Sequence, residues 1–264
     1  MFDRLNQGIY WDKFWPLVDG CTPAGPECRE CWRERYTKRF DAWRAERFGP
    51  HWNPTLTSDG KWTGEVILNH HKLGQPLQRK KPTIWFVLND LYHEQVPADF
   101  IIHAYAVMAE AKQHIFIVCT KRPERIVPVL YGEEGHFYLG GGDYLPNVWH
   151  MTTAGNQEMA DKRIPELLKL RQASPGWPVL GVSLEPLLGP IDLSSFIGYN
   201  PIKTQEGGNY ESDTIRTNSL RISQGGGIGD IIAVVAEHEE VHCPDGIVRA
   251  HQGKFLVPGQ VPQV

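Results

Sequence analysis

The sequence predicts an α/β protein built on a parallel sheet that is open and only partly wound into a barrel. Three observations predict it. Runs such as Thr83-Ile84-Trp85-Phe86-Val87-Leu88 and His114-Ile115-Phe116-Ile117-Val118-Cys119 are continuously apolar, as strands buried on both faces are. Helical segments separate most of these runs, and strand–helix alternation implies a parallel sheet with right-handed crossovers. The chain carries six such units, too few for a closed eightfold barrel.

Taken in order, Gly8 to Val18 holds a first strand interrupted by Pro16. Residues 20–32 are Gly- and Pro-rich and form a loop. Arg29 to Arg47 lacks both breakers and reads as a helix. Its Trp32, Tyr36, Phe40 and Trp43 recur at i, i+4, i+8 and i+11, one helical face. Core packing explains that stripe; a base-stacking platform is the sharper alternative. Residues 49–80 are irregular and read as an insertion, with a strand at Glu65 to Leu68.

The regular pattern then begins. The strand at 83–88 leads to a helix from Pro97 to Lys112, with Pro97 suited to a first turn. The strand at 114–119 leads to a short helix from Pro123 to Tyr131. After a Gly-rich loop come a strand at Asn147 to Thr153, a helix at Gln157 to Arg171 and a strand at Trp177 to Leu184. Residues 186–229 are loop-like, and Asp230 to Ala236 is the last buried strand. Residues 238–264 read as an irregular tail, so 1–264 form a single domain.

Composition bounds the function. Charged residues are 22% and hydrophobic ones 41%, ordinary globular usage. No apolar run approaches the roughly 20 residues of a membrane span, and Met1 to Tyr10 lacks an apolar signal core. A cytoplasmic, reducing location is expected, which favours metal or cluster ligation over disulfides. A net charge of −4 argues against broad capture of nucleic acid, though a local basic groove is compatible with it.

Three of the five cysteines, Cys21, Cys28 and Cys31, fall in one loop with spacing Cys-x6-Cys-x2-Cys. Thiolates select zinc, copper(I) or iron–sulfur clusters. A four-iron cluster normally takes four cysteines, so three would leave one iron open; zinc would want a fourth donor, and distant His242 and Cys243 are the candidates. Cys119, inside an apolar strand, reads as an inert buried thiol. His93 and Glu94 read as surface residues at a helix start. The glycines at 225–227 precede a strand and make no dinucleotide fingerprint.

In parallel sheets the chemistry lies at the carboxyl ends of the strands. Polar clusters recur there: Asn89 and Asp90; Thr120, Lys121 and Arg122; Thr152, Thr153 and Asn156; Glu185; Glu237 and His238. Glu185 leaves an apolar strand between Leu184 and Pro186, where a carboxylate needs a partner or a task.

These pieces carry a resemblance. Gly20-Cys21 with Cys28 and Cys31, Asn89 through Pro97, Thr120 through Arg125, Leu145 through Trp149, Asn156-Gln157-Glu158, Ala160 through Pro165 and Glu185 through Ile191 resemble, in unbroken order, a phage-encoded radical-SAM-like family of unknown function. The resemblance implies a partial (β/α)6 barrel with an insertion after the first helix and a shortened C-terminal end. It implies a [4Fe-4S] cluster on Cys21, Cys28 and Cys31, with S-adenosylmethionine on the fourth iron. Asn89, Asp90, Thr120, Lys121, Arg122, Trp32 and Asn156 would contact cofactor, and Glu185 would be catalytic. The chemistry implied is reductive cleavage to a 5′-deoxyadenosyl radical that takes hydrogen from a substrate, a small molecule, nucleotide or nucleic-acid base. A flavodoxin or ferredoxin would supply the electron, in the host cytoplasm if the chain is phage-encoded. The sequence departs from the common Cys-x3-Cys-x2-Cys spacing, and Ala236-Glu237-His238 stands where a Gly-Gly-Glu pattern is usual. The alternative is a non-catalytic zinc- or cluster-binding interaction protein on a degenerate barrel.

Overall fold

A computed structural model describes residues 11–48, 55–57, 59–132, 145–173, 178–193, 196, 231–234, 240–243 and 246–249. The elements in chain order are β1 (Lys13–Trp15), β2 (Val18–Asp19), α1 (Trp32–Phe48), β3 (Ile67–Leu68), β4 (Ile84–Val87), α2 (Ala98–Glu110), β5 (Ile115–Thr120), α3 (Ile126–Tyr131), β6 (Val148–Thr153), α4 (Gln157–Ala173), β7 (Val179–Ser183), β8 (Ile231–Val234), β9 (Glu240–Cys243) and β10 (Gly246–Arg249).

Six strands form one sheet in the order β1-β4-β5-β6-β7-β8, and every neighbouring pair is parallel. The order follows the chain without the reversal that marks a doubly wound sheet. Alternate residues on a strand face opposite sides, and the two sides differ here. Trp85, Val87, Phe116, Val118, Val148 and Leu180 pack against Phe100, Tyr105 and Met108 of α2, Ile126 and Leu130 of α3, and Leu167 and Leu170 of α4. Burying each large apolar side chain there stabilises the fold by about 1.5–3 kcal/mol. The other face groups Ile84, Phe86, Ile117, Cys119, Trp149 and Met151 with Trp11. The helices α2 to α4 therefore lie on one face of the sheet.

The insertion returns strand β3 to pair antiparallel with β2, directly before the cysteine loop. Gly20 makes that approach possible. It sits at φ +86, and a Cβ there would lie 1.8 Å from the Glu65 carbonyl oxygen, so only glycine fits.

Four expectations change. The helix after the cysteines starts at Trp32, because Pro26–Glu30 takes a tighter 3-10 turn. Two rings of the α1 stripe are not core: Trp32 is 44% exposed and Trp43 51%, while Tyr36 is half-buried. Helical periodicity identifies a face but not what covers it. His93 is buried, not on the surface. The tail is not wholly irregular, since β9 and β10 pair as an antiparallel hairpin. Glu237, His238 and the glycines at 225–227 lie outside the described residues. Among the described residues no helix is long and apolar enough to cross a membrane.

Candidate functional site

A cavity of about 340 Å³ opens where the parallel strands end. Its walls include Cys21, Cys28 and Cys31 from the loop, Trp32 at the start of α1, Asn89 and Asp90 after β4, Thr120 and Lys121 at the end of β5, and Glu185 after β7. Residues far apart in sequence meet because parallel strands point all their carboxyl ends to one rim. A larger, shallow hollow of about 570 Å³ lies by Lys13, Arg79 and Lys81, at the amino ends of β1 and β4, and gathers none of these groups.

Two of the sequence-derived residues stand outside the cavity wall. Asn156 Oδ1 accepts the backbone N–H of Met159 at 2.9 Å, which makes Asn156 the N-cap of α4. Arg122 is buried behind the wall and holds the loop in place. Its Nη1 donates to Asp90 Oδ2 at 2.8 Å, its Nε to Glu94 Oε1 at 2.7 Å, and its Nη2 to Thr22 O at 3.2 Å and Thr22 Oγ1 at 2.8 Å. Glu94 and Asp90 hold the guanidinium charged against its burial. His93 adds a contact from Nε2 to Thr22 Oγ1 at 2.8 Å, while its Nδ1 accepts the Gln95 N–H at 3.2 Å. Burial and the Arg122 charge push the His93 imidazole below its usual range, so it stays neutral.

Asp90 and Asn89 are saturated by the protein. Asp90 Oδ1 accepts from Thr120 Oγ1 at 2.6 Å and from the Tyr92 N–H at 3.1 Å, and Oδ2 takes the Lys121 N–H at 3.3 Å besides Arg122. Asn89 adopts φ 62, a left-handed conformation that asparagine tolerates. It accepts from Arg33 Nε at 2.6 Å and donates to Val18 O at 2.9 Å. These side chains shape the rim and tie the cysteine loop to it.

Sequence reasoning missed a second clamp. Arg163 of α4 and Glu27 of the loop are both buried and form an ion pair. Arg163 also donates to Thr153 O at 2.7 Å and to Ala24 O at 2.8 Å. A Cβ on Gly25 would lie 2.6 Å from Arg163 Nη2, so the glycine gives the pair its space. A signal existed: Arg163 falls four residues after Met159 and four before Leu167, on a buried face of α4.

Cys119 lines the same cavity as well, and its Sγ is 3.5 Å from Thr153 Oγ1. Cys119 near the end of β5 and Lys121 just after it both line this cavity. Burial pushes the Cys119 thiol up. The Lys121 ammonium is disfavoured by burial, yet Cys28, Cys119, Glu27 and Cys31 outweigh this and hold it above the usual lysine range.

The three loop cysteines are free thiols. Burial, helped by the Asp90 charge, pushes Cys21 up to about 12, so it is protonated here; ligation would release that proton. Among the described residues no group of three or more His, Cys, Asp or Glu converges as ligands of one ion. Three thiols standing around a cavity suit a cluster, whose ligands sit on separate irons. A tetrahedral zinc needs four donors on one point. The cavity volume also falls within the roughly 300–1,000 Å³ usual for small-molecule sites. A cluster would take its sulfur ligands from Cys21, Cys28 and Cys31, which line the one cavity.

Fold and site define an α/β protein whose thiol-lined cavity sits at the carboxyl ends of a singly wound parallel sheet. The chain belongs to the family described as protein of unknown function (DUF5131), which matches residues 6–233. No curated protein and no solved structure matches it.

Proposed function

We propose that the protein is a radical S-adenosylmethionine enzyme on a partial (β/α)6 barrel. One observation carries this reading: Cys21, Cys28 and Cys31 line a single cavity at the carboxyl ends of the strands, together with polar residues from β4, β5 and β7. The chain-order sheet and the helices on one face support the partial barrel. When bound, a [4Fe-4S] cluster and S-adenosylmethionine supply reductive carbon–sulfur cleavage and a radical that abstracts hydrogen.

The chain's own residues have separate tasks in this reading. Cys21, Cys28 and Cys31 hold the cluster. Lys121 offsets the negative charge of the thiolate set or binds the cofactor carboxylate. Asn89, Asp90 and Thr120 form the wall beside the cofactor, with Arg122, Arg163 and Glu27 fixing the loop behind them. Trp32, Phe86 and Leu88 exclude water. Glu185 contacts the reacting molecule, a nucleotide, nucleic-acid base or other small molecule, and a flavodoxin or ferredoxin delivers the electron.

The test is anaerobic purification with iron and sulfide analysis, followed by dithionite reduction with S-adenosylmethionine. Brown protein that releases methionine and 5′-deoxyadenosine supports the reading. A second reading follows from Cys119, a fourth thiol at the same cavity. Four thiols would close the ligand set and leave a non-catalytic zinc- or cluster-binding interaction protein. Colourless protein with one tightly held zinc would favour it.

A further inference from the structure

The exposed face of α1 carries a pattern the cavity does not use. Successive helix residues turn by about 100°, so Trp32, Arg35, Tyr36, Arg39, Trp43 and Arg47 share one side. Trp32, Arg35, Arg39, Trp43 and Arg47 are exposed, and Tyr36 is half-buried against Phe14, with ring centroids 6.0 Å apart. The Arg47 guanidinium lies 5.5 Å above the Trp43 ring. Glu46 is the exposed acid among these bases. In a chain of net charge −4, this face is locally basic. Trp32 both begins the stripe and lines the cavity.

Flat rings alternating with guanidiniums are the chemistry of a single-strand platform: bases stack on the rings while arginines follow the phosphates. From Trp32 to Trp43 the helix rises roughly 16 Å, enough for several bases at roughly 3.4 Å each. Rings and guanidiniums serve bases and phosphates, and the exposed acid on this face, Glu46, is outnumbered by Arg35, Arg39 and Arg47. We propose that α1 is a docking surface for single-stranded DNA, which it leads to the cavity mouth at Trp32. Delivery of a base to the cavity rests on the catalytic reading above; binding along α1 does not.

The test is fluorescence anisotropy of a labelled 12-nucleotide oligodeoxythymidylate with the full chain at low and moderate salt. The wild type is expected to bind it at least tenfold more tightly than a duplex of equal length. Trp43→Ala should lose about tenfold or more, the effect of removing one stacking ring. Arg39→Glu with Arg47→Glu should abolish most binding and flatten the salt dependence. Iron content and melting temperature, measured on the same variants, should match the wild type. Absent binding, equal binding by the variants, or preference for duplex overturns the proposal, as does oligouridylate binding more tightly than the deoxy strand. Self-association lost in Trp43→Ala would assign the face to a second copy instead. Strand binding without any cluster would sink the enzyme reading alone; a cluster without strand binding would sink this one alone.

Discussion

Arg122 Nη1 lies 2.8 Å from Asp90 Oδ2, and the same guanidinium reaches Thr22 through Nη2 at 2.8 Å. One buried cation thus joins the end of β4, the end of β5 and the residue after Cys21. The cysteine loop is short of regular structure, so its position depends on such anchors.

Replacing Arg122 leaves Asp90 buried without its charge partner. Arg122→Met should destabilise the fold by about 3–5 kcal/mol, the usual cost of breaking a buried pair. Urea denaturation measures this. Alkylation of Cys21 in the native protein should also become faster. A loss below about 1 kcal/mol, in the range of exposed pairs, would show that the pair does not anchor the loop.

Gly20→Ala should be worse than its single methyl suggests. The left-handed φ of +86 is strained for alanine, and the new carbon would overlap Glu65 O. The variant should unfold at a lower temperature and detach β3 from β2, seen as faster amide exchange at Val18 and Asp19. Wild-type exchange there would contradict the account of the β2–β3 approach.

Much of this architecture was readable and some was not, for physical reasons. Buried strands such as 84–87 and 115–120 announce themselves because both faces need apolar residues. The rim residues follow from where those runs stop. The Arg163–Glu27 pair was legible only in part: Arg163 falls on the buried face of α4, but a helix stripe does not name the partner that makes its charge tolerable. The exposure of Trp32 and Trp43 on α1 could not be told from core packing, since periodicity is the same in both. The β9–β10 hairpin did have a signal, the Pro244-Asp245-Gly246 turn sequence followed by Ile247-Val248.

His150 gives a pH prediction. It is buried, its Nδ1 is 3.2 Å from Tyr105 Oη, and Tyr92 Oη donates to Tyr105 Oη at 2.8 Å. Burial holds its pKa down to about 4 from the ordinary 6.5. The unfolded chain therefore binds more protons between these values, and stability rises with pH across that window. His150 should contribute on the order of 3 kcal/mol of acid sensitivity, complete below about pH 4 and absent above pH 6.5. Comparing denaturant midpoints of wild type and His150→Gln across that range checks it. The variant should show a flatter dependence; an identical slope would refute the assignment.

Glu185 lines the cavity at the end of β7. Glu185→Gln keeps its size and removes its charge. Affinity for S-adenosylmethionine or for substrate should fall about tenfold or more, as expected for losing a charge-assisted hydrogen bond, with the melting temperature unchanged. Calorimetric titration reads the first, and unchanged affinity for both would return Glu185 to a structural role.

The most direct test of the central claim is the electron paramagnetic resonance spectrum of the anaerobically reconstituted, reduced protein, recorded with and without S-adenosylmethionine. The account predicts a four-iron signal that changes when S-adenosylmethionine is added, persists in Cys119→Ala and vanishes in Cys28→Ala. A signal that ignores S-adenosylmethionine and is lost in Cys119→Ala would contradict it, because the fourth thiol would then occupy the corner the cofactor needs.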